Sequence, residues 1–129
     1  MVTATIGLDL YKTEVIATGH ALIADEPDEA GGGDLGPSPG QYLQVSLASC
    51  TAITLRMYAH RKNISLEKVR VEVSAERLEG KTIFLRHIYF EGLKDETQRE
   101  KLLAIANACP VHKTLTHPIE IETTIMTDA

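Results

Sequence analysis

Residues 38–62, SPGQYLQVSLASCTAITLRMYAHRK, constrain this chain more than any other segment. Ser38 can cap a helix and Pro39 can open it, since proline's fixed φ suits the first helical position and its missing N–H is not needed there. A helix from there to Lys62 would be roughly 36 Å long at 1.5 Å per residue. Leu43, Leu47, Cys50, Ile53 or Thr54, and Met57 fall on one face, but Val45, Ala48, Ala52, Leu55 and Tyr58 cover the others. A helix apolar nearly all round is buried on several sides. Gln44, Ser46, Ser49, Thr51, Thr54 and Arg56 make it too polar for lipid, so no membrane partner is expected. The chain has 129 residues, enough for a single domain spanning residues 1–129 and too few to enclose such a helix alone. A second copy, giving a homodimer, is the expected cover.

The remaining elements are shorter. Val2, Ala4 and Ile6 alternate with Thr3, Thr5 and Gly7, and the runs 13–18 and 20–24 read as a hairpin turning at Gly19-His20. Residues 25–40, DEPDEAGGGDLGPSPG, read as one long loop within the domain. Val69, Val71, Val73 and Ala75 alternate with Arg70, Glu72, Ser74 and Glu76, the clearest strand, with Glu79-Gly80 as its turn and 82–91 as its mate. Asp95 and Gln98 have capping-box spacing ahead of a second helix, which Pro110 would end at Cys109 before a further turn over 111–116. Residues 119–126 complete the chain as a final strand. The order of strands, long helix, hairpin, helix and strand describes an α+β domain.

Charge excludes one class of function. The formal net charge is −5, and residues 1–40 carry seven acids against Lys12 alone. A nucleic-acid surface needs a clustered excess of Lys and Arg, so no nucleic-acid partner is expected. The acidic excess between Asp25 and Asp34 reads as a solvated loop. The N-terminus has no basic stretch leading into an apolar core, so no secretory signal is expected. Two cysteines in such a chain read as free or redox-cycling thiols in a reducing, cytoplasmic compartment.

Cys50 and Cys109 are therefore the residues to weigh. Cys50 lies mid-helix beside Leu47 and Met57. Burial there favours the neutral thiol, so reactivity needs a nearby cation or hydrogen-bond donor. Cys109 precedes Pro110 at a helix break, where free backbone N–H groups and the helix dipole favour a thiolate. His112 and Lys113 follow closely, so local sequence alone ranks Cys109 as the more activated of the two. Cys109 and His112 could also share a metal, with Cys50 and one of His20, His60, His87 or His117. A structural zinc site usually shows two close-spaced pairs, and this chain has one Cys-x-x-His. No metal and no cofactor are expected. GGGDLGPSPG lacks the flanking strand and Lys-Ser/Thr of a phosphate loop, and no Ser-His-Asp order or carboxylate pair supports hydrolysis.

GPSPGQYLQVSLASCTAITLRMYAHRK (36–62), GLKDETQREKLLAIANACPVHKTL (92–115), the terminal IEIETTI and the GHALIADEP run together resemble the OsmC/Ohr family, the osmotically inducible and organic hydroperoxide resistance proteins. The resemblance implies an α+β fold in which two chains intertwine around the cysteine-bearing helices. It also implies a peroxidase acting on organic hydroperoxides without a prosthetic group. Cys50 would attack the peroxide and become a sulfenic acid, Cys109 would resolve it as a disulfide, and a dithiol reductant would reopen the pair. The family order thus reverses the local ranking.

Active members of that family hold the attacking thiolate with an arginine from an N-terminal strand, oriented by a glutamate at the start of the long helix. Here no arginine precedes Arg56, and Gly40 and Gln41 stand near the acidic position. Lys12, His20, Gln41 and His112 are the candidate donors to the thiolate. Without the arginine, peroxide reduction is expected to be slow at about pH 6 and to rise toward about pH 8; with a histidine as activator the profile should instead peak and fall as its charge is lost. The alternative reading is a non-catalytic or weakly active OsmC-like dimer that binds a small apolar ligand.

Overall fold

The computed structural model describes residues 1–127. Its elements are β1 (Val2–Ile6), β2 (Thr13–Ala17), β3 (His20–Ala24), a 3₁₀ turn (Asp28–Ala30), α1 (Pro39–Arg61), β4 (Lys68–Leu78), β5 (Lys81–Glu91), a second 3₁₀ turn (Glu96–Gln98), α2 (Arg99–Ala106) and α3 (Pro110–Leu115). Strands β1, β2 and β3 form one antiparallel sheet in that order, and β4 and β5 form a separate hairpin. The class is α+β. Contacts divide the chain into two compact units, residues 1–46 with 73–84, and residues 47–72 with 85 onward.

In the first unit, Ala17 pairs with His20, which leaves Thr18 and Gly19 as the turn. Both have positive φ, 47° and 85°, the backbone that a tight two-residue hairpin requires. The expected turn at Gly19-His20 is thus displaced by one residue, and His20 opens β3. The acidic loop also departs from expectation at one position. Asp25 is only 2 % exposed. Its Oδ1 accepts from the backbone N–H groups of Glu26 (2.7 Å), Tyr11 (3.1 Å) and Gly33 (3.4 Å), and its Oδ2 from Leu35 (3.2 Å). Burial disfavours the charge, but the four donors outweigh it and hold the carboxyl below the usual aspartate range. Asp25 is therefore the post around which the loop winds. A Cβ on Gly36 would collide with the carbonyl oxygen of Ile23 where the loop returns along β3. Tyr42 ties α1 to the same carbonyl through its hydroxyl, at 2.6 Å.

The second unit holds the core. Leu55 and Tyr58 of α1 meet Leu102 and Ala106 of α2, with Ile64, Val69, Ile88, Phe90, Leu93 and Ile105 packed around them. Leu55 and Leu102 are wholly buried, each contributing about 1.5–3 kcal/mol. Two expectations are corrected here. Helix α2 ends at Ala106 rather than at Cys109, and Asn107 and Ala108 form a turn whose N–H groups return to Leu103 and Ile105. Residues 119–127 form no strand, and Ile121 and Ile125 are 82 % and 95 % exposed. A strand persists only where its N–H and C=O groups find a neighbouring edge, and alternation in the sequence cannot supply one. Leu43, Val45, Ile53 and Met57 of α1 are also exposed in the single chain. No helix among the described residues is long and apolar enough to cross a membrane.

Candidate active site

The second unit brings Cys50, Cys109 and His112 together. Cys109 is the N-cap of α3: its backbone is extended, Pro110 takes the first helical position, and its sulfur accepts the His112 N–H at 3.3 Å. A neutral thiol is a weak acceptor, so a cysteine in this role favours its ionised form. Cys109 is wholly buried, whereas Cys50 is half-buried; both are free thiols. The Cys50 side chain is near enough to act on the Cys109 thiol and lower it. On its other side, Cys50 Sγ lies 3.9 Å from the Thr54 hydroxyl, one turn along α1.

The cation at this site is Arg86, which sequence reading passed over. It stands on β5 in the half-buried series Phe84, Arg86, Ile88 and Phe90. Its Nη1 donates to Thr51 Oγ1 at 3.0 Å and to the Ala106 carbonyl at 3.4 Å. Its Nη2 donates to Asn107 Oδ1 at 2.8 Å and to His112 Nδ1 at 3.1 Å. All four acceptors are neutral, and among the described residues no carboxylate pairs with it. Its charge therefore acts on the nearest ionisable group. Thr51, wholly buried, extends that influence: its hydroxyl donates to the Leu47 carbonyl at 2.7 Å and lies 3.9 Å from Cys109 Sγ. Burial pushes the Cys109 thiol up. The His112 N–H, the Cys50 and Thr51 side chains and the Arg86 charge together pull it below its ordinary value.

His112 contributes through its backbone rather than its ring. Burial and the adjacent Arg86 both push its imidazole down, so the ring is neutral at neutral pH. Arginine can only donate, so Nδ1 must carry the lone pair and the proton sits on Nε2. His112 meets the Cys109 sulfur with its backbone N–H, while its ring nitrogen Nδ1 is engaged by Arg86. The charge of Arg86 would also repel a metal ion beside that nitrogen. Among the described residues, no three His, Cys, Asp or Glu side chains are grouped to hold one.

Lys12, His20 and Gln41 belong to the first unit. Lys12 precedes β2 and His20 is exposed at the start of β3. Gln41 is engaged at the start of α1, where its Oε1 accepts from Ser38 N at 3.0 Å and its own N–H donates to Ser38 Oγ. That is a capping box built on glutamine.

One signal for Arg86 was legible. In 82–91 it is the single charged residue in phase with Phe84, Ile88 and Phe90. A charge on the apolar phase of a strand requires buried acceptors. Thr51 gave less away, since a threonine within an apolar helix is ordinarily satisfied by a carbonyl of the preceding turn.

Residues 31–124 match the family model described as OsmC-like protein. None of the curated proteins matches the sequence. Among solved structures, the chain is similar to a Psychrobacter arcticus 273-4 protein described provisionally as an osmotic stress induced and detoxification response protein. Identity is 25 %, the TM-score 0.76, and the match covers 91 % of this chain and 88 % of that one. It is also similar to an organic hydroperoxide resistance protein OsmC from Legionella pneumophila, at 26 % identity and a TM-score of 0.65, over 90 % and 88 % of the two chains. An OsmC-like protein from Mycoplasma pneumoniae shares the fold, with 22 % identity, a TM-score of 0.74, and coverage of 89 % and 85 %.

Proposed function

Because the chain belongs to the OsmC-like protein family, we propose that it is a thiol-dependent peroxidase that reduces organic hydroperoxides through a two-cysteine cycle. The observation that carries this reading is a pair of free thiols close enough for one to act on the other, Cys109 being drawn toward its thiolate by an arginine that has no carboxylate partner among the described residues. Such a pair has both parts of the chemistry, a sulfur that can be ionised and a second sulfur within reach of it.

Cys50 is the more accessible sulfur and meets the substrate. Its sulfur attacks one oxygen of the hydroperoxide, the O–O bond breaks, and the alcohol leaves with a proton. Cys50 is then a sulfenic acid, oxidised by two electrons. Cys109 attacks that sulfur, water departs, and a disulfide closes. A dithiol reductant, itself oxidised to a disulfide, returns both thiols. The cycle runs in a reducing, cytoplasmic setting, in a homodimer that covers Leu43, Val45, Ile53 and Met57.

A second reading has one observation in its favour. Ala52, Ile53, Met57 and Val69, with Arg56, Glu67 and Lys68, line an open cavity of about 560 Å³ that would suit a small apolar ligand without chemistry. Thiol titration of the reduced protein before and after one equivalent of cumene hydroperoxide decides between them. The peroxidase loses two thiols per chain, and a simple binding protein loses none.

A further inference from the structure

We propose that Arg86, held in place by Asn107 and Thr51, is the positioning residue that keeps one negative charge on the cysteine pair, so that Cys109 rests as a thiolate and accepts the proton of Cys50 during attack. The inference deepens the peroxidase reading and rests on it for the attack step alone; the charge state of the pair is measurable without peroxide.

The argument begins with what the guanidinium can do. Its fork is filled by Thr51 Oγ1, the Ala106 carbonyl, Asn107 Oδ1 and His112 Nδ1. Four neutral acceptors from three elements and a turn fix its position without neutralising it. A half-buried positive charge without a counter-ion is costly unless an anion forms nearby. The ionisable groups near it are Cys109, Cys50 on α1, His112 on α3, and Arg99 on α2, which lines a cavity with Arg86 but is a cation already paired with Glu96. His112 is held neutral by the same arginine. The remaining candidates are the two thiols, and Cys109 has the donors: the His112 N–H at 3.3 Å and the Thr51 hydroxyl at 3.9 Å.

Thr51 has one proton and two uses for it. With Cys109 neutral, its hydroxyl proton stays on the Leu47 carbonyl at 2.7 Å while its oxygen accepts from Arg86. With Cys109 ionised, the hydroxyl can turn toward the sulfur and add a second donor. The step itself is a transfer within the pair. The Cys50 S–H bond breaks, an S–H bond forms on Cys109, and no electrons change hands. Cys50 is then the nucleophile facing substrate, and Cys109 is the thiol that resolves its sulfenic acid.

The test is the thiolate absorbance near 240 nm of the reduced protein, titrated from acid to alkaline pH. In Cys50→Ser, which isolates Cys109, half-ionisation should fall below the ordinary thiol value of about 8.5. Adding Arg86→Gln should raise it by about one pH unit, a tenfold loss of thiolate at fixed pH. Arg86→Lys, which keeps the charge, should restore most of the shift. Asn107→Asp retains the arginine and the side-chain shape but supplies a carboxylate 2.8 Å from Nη2, and should raise the midpoint too. This variant keeps the test valid if Arg86→Gln does not fold. A folded Arg86→Gln or Asn107→Asp protein that titrates like its parent overturns the proposal, whatever happens to its thermal stability. A shifted titration in these variants, with no peroxide consumption by the protein that retains Cys50, would instead leave the charge assignment standing and remove the peroxidase reading.

Discussion

Arg86 Nη1 donates to Thr51 Oγ1 at 3.0 Å, across 35 residues of sequence and from a strand to the middle of the long helix. That hydrogen bond connects the cation to the cysteines. It also changes the expected behaviour of the protein in solution, because a permanently charged arginine replaces the lysine or histidine that sequence alone made available.

The pH dependence follows from the sign of two shifts. The Cys109 thiol is lowered, so its thiolate survives to lower pH than an ordinary thiol and is lost as pH falls through the folded value. His112 is lowered as well, so its neutral ring, and the Arg86–Nδ1 hydrogen bond, persist until the solution is distinctly acidic. Peroxide reduction should therefore persist to lower pH than an ordinary thiol would allow, and decline as pH falls through the lowered Cys109 value. The same shifts make stability fall with pH, since below about 6.5 the unfolded chain binds a proton on His112 that the folded state resists. A stopped-flow rate that keeps rising steeply between about pH 7 and 9 would show that no cation acts on the pair.

The two cysteines should differ in what they leave behind. Cys50→Ser should abolish peroxide consumption, because a neutral hydroxyl is a far weaker nucleophile than a thiolate. Cys109→Ser should still take one oxygen onto Cys50, and with excess peroxide proceed to the sulfinic acid. Intact-mass and peptide mass spectrometry read both outcomes. Oxygen gained first by Cys109 in the Cys50→Ser protein, at wild-type speed, would reverse the roles.

Asp25→Asn tests the loop post. An amide has one acceptor oxygen, and its NH₂ group would face backbone N–H donors, so at least one of the contacts to Glu26, Tyr11, Gly33 and Leu35 is lost. Thermal unfolding should shift down by several degrees, and limited proteolysis between residues 25 and 37 should accelerate. The stabilisation given by the wild-type carboxylate is present above the ordinary aspartate pKa and is lost as pH falls through the lower folded value. The variant should therefore show less of that acid sensitivity. Equal proteolysis rates for the two proteins would mean that the loop is held by something else.

Light scattering at micromolar concentration should return twice the 14.1 kDa chain mass. The exposed Leu43, Val45, Ile53 and Met57 on α1, and Ile121 and Ile125 near the C-terminus, are the apolar surface a second copy would cover. Charged substitution at Ile53 and Met57 should shift the mass toward the single chain. A folded wild-type protein with the monomer mass would remove the homodimer.

What the sequence determined by itself is local. Alternation and capping are properties of neighbouring residues, so β1–β5, the start of α1 at Pro39 and the cap position of Cys109 before Pro110 were all legible. The unpolarised surface of α1 was legible too, as was the pairing of two cysteine motifs that marks the family. The tertiary structure decided everything that depends on a partner from elsewhere. Residues 119–127 have strand alternation but no strand, because pairing needs an edge that periodicity cannot provide. Asp25 sits in an acidic run yet is buried, because donors as distant as Tyr11 and Leu35 converge on it. The His112 ring is pushed away from its charged form by burial and by Arg86, a strand residue that reaches Thr51, Asn107 and His112. Charge acts through space, so only the fold could bring Arg86, Thr51 and Cys109 together from positions 35 and 58 residues apart.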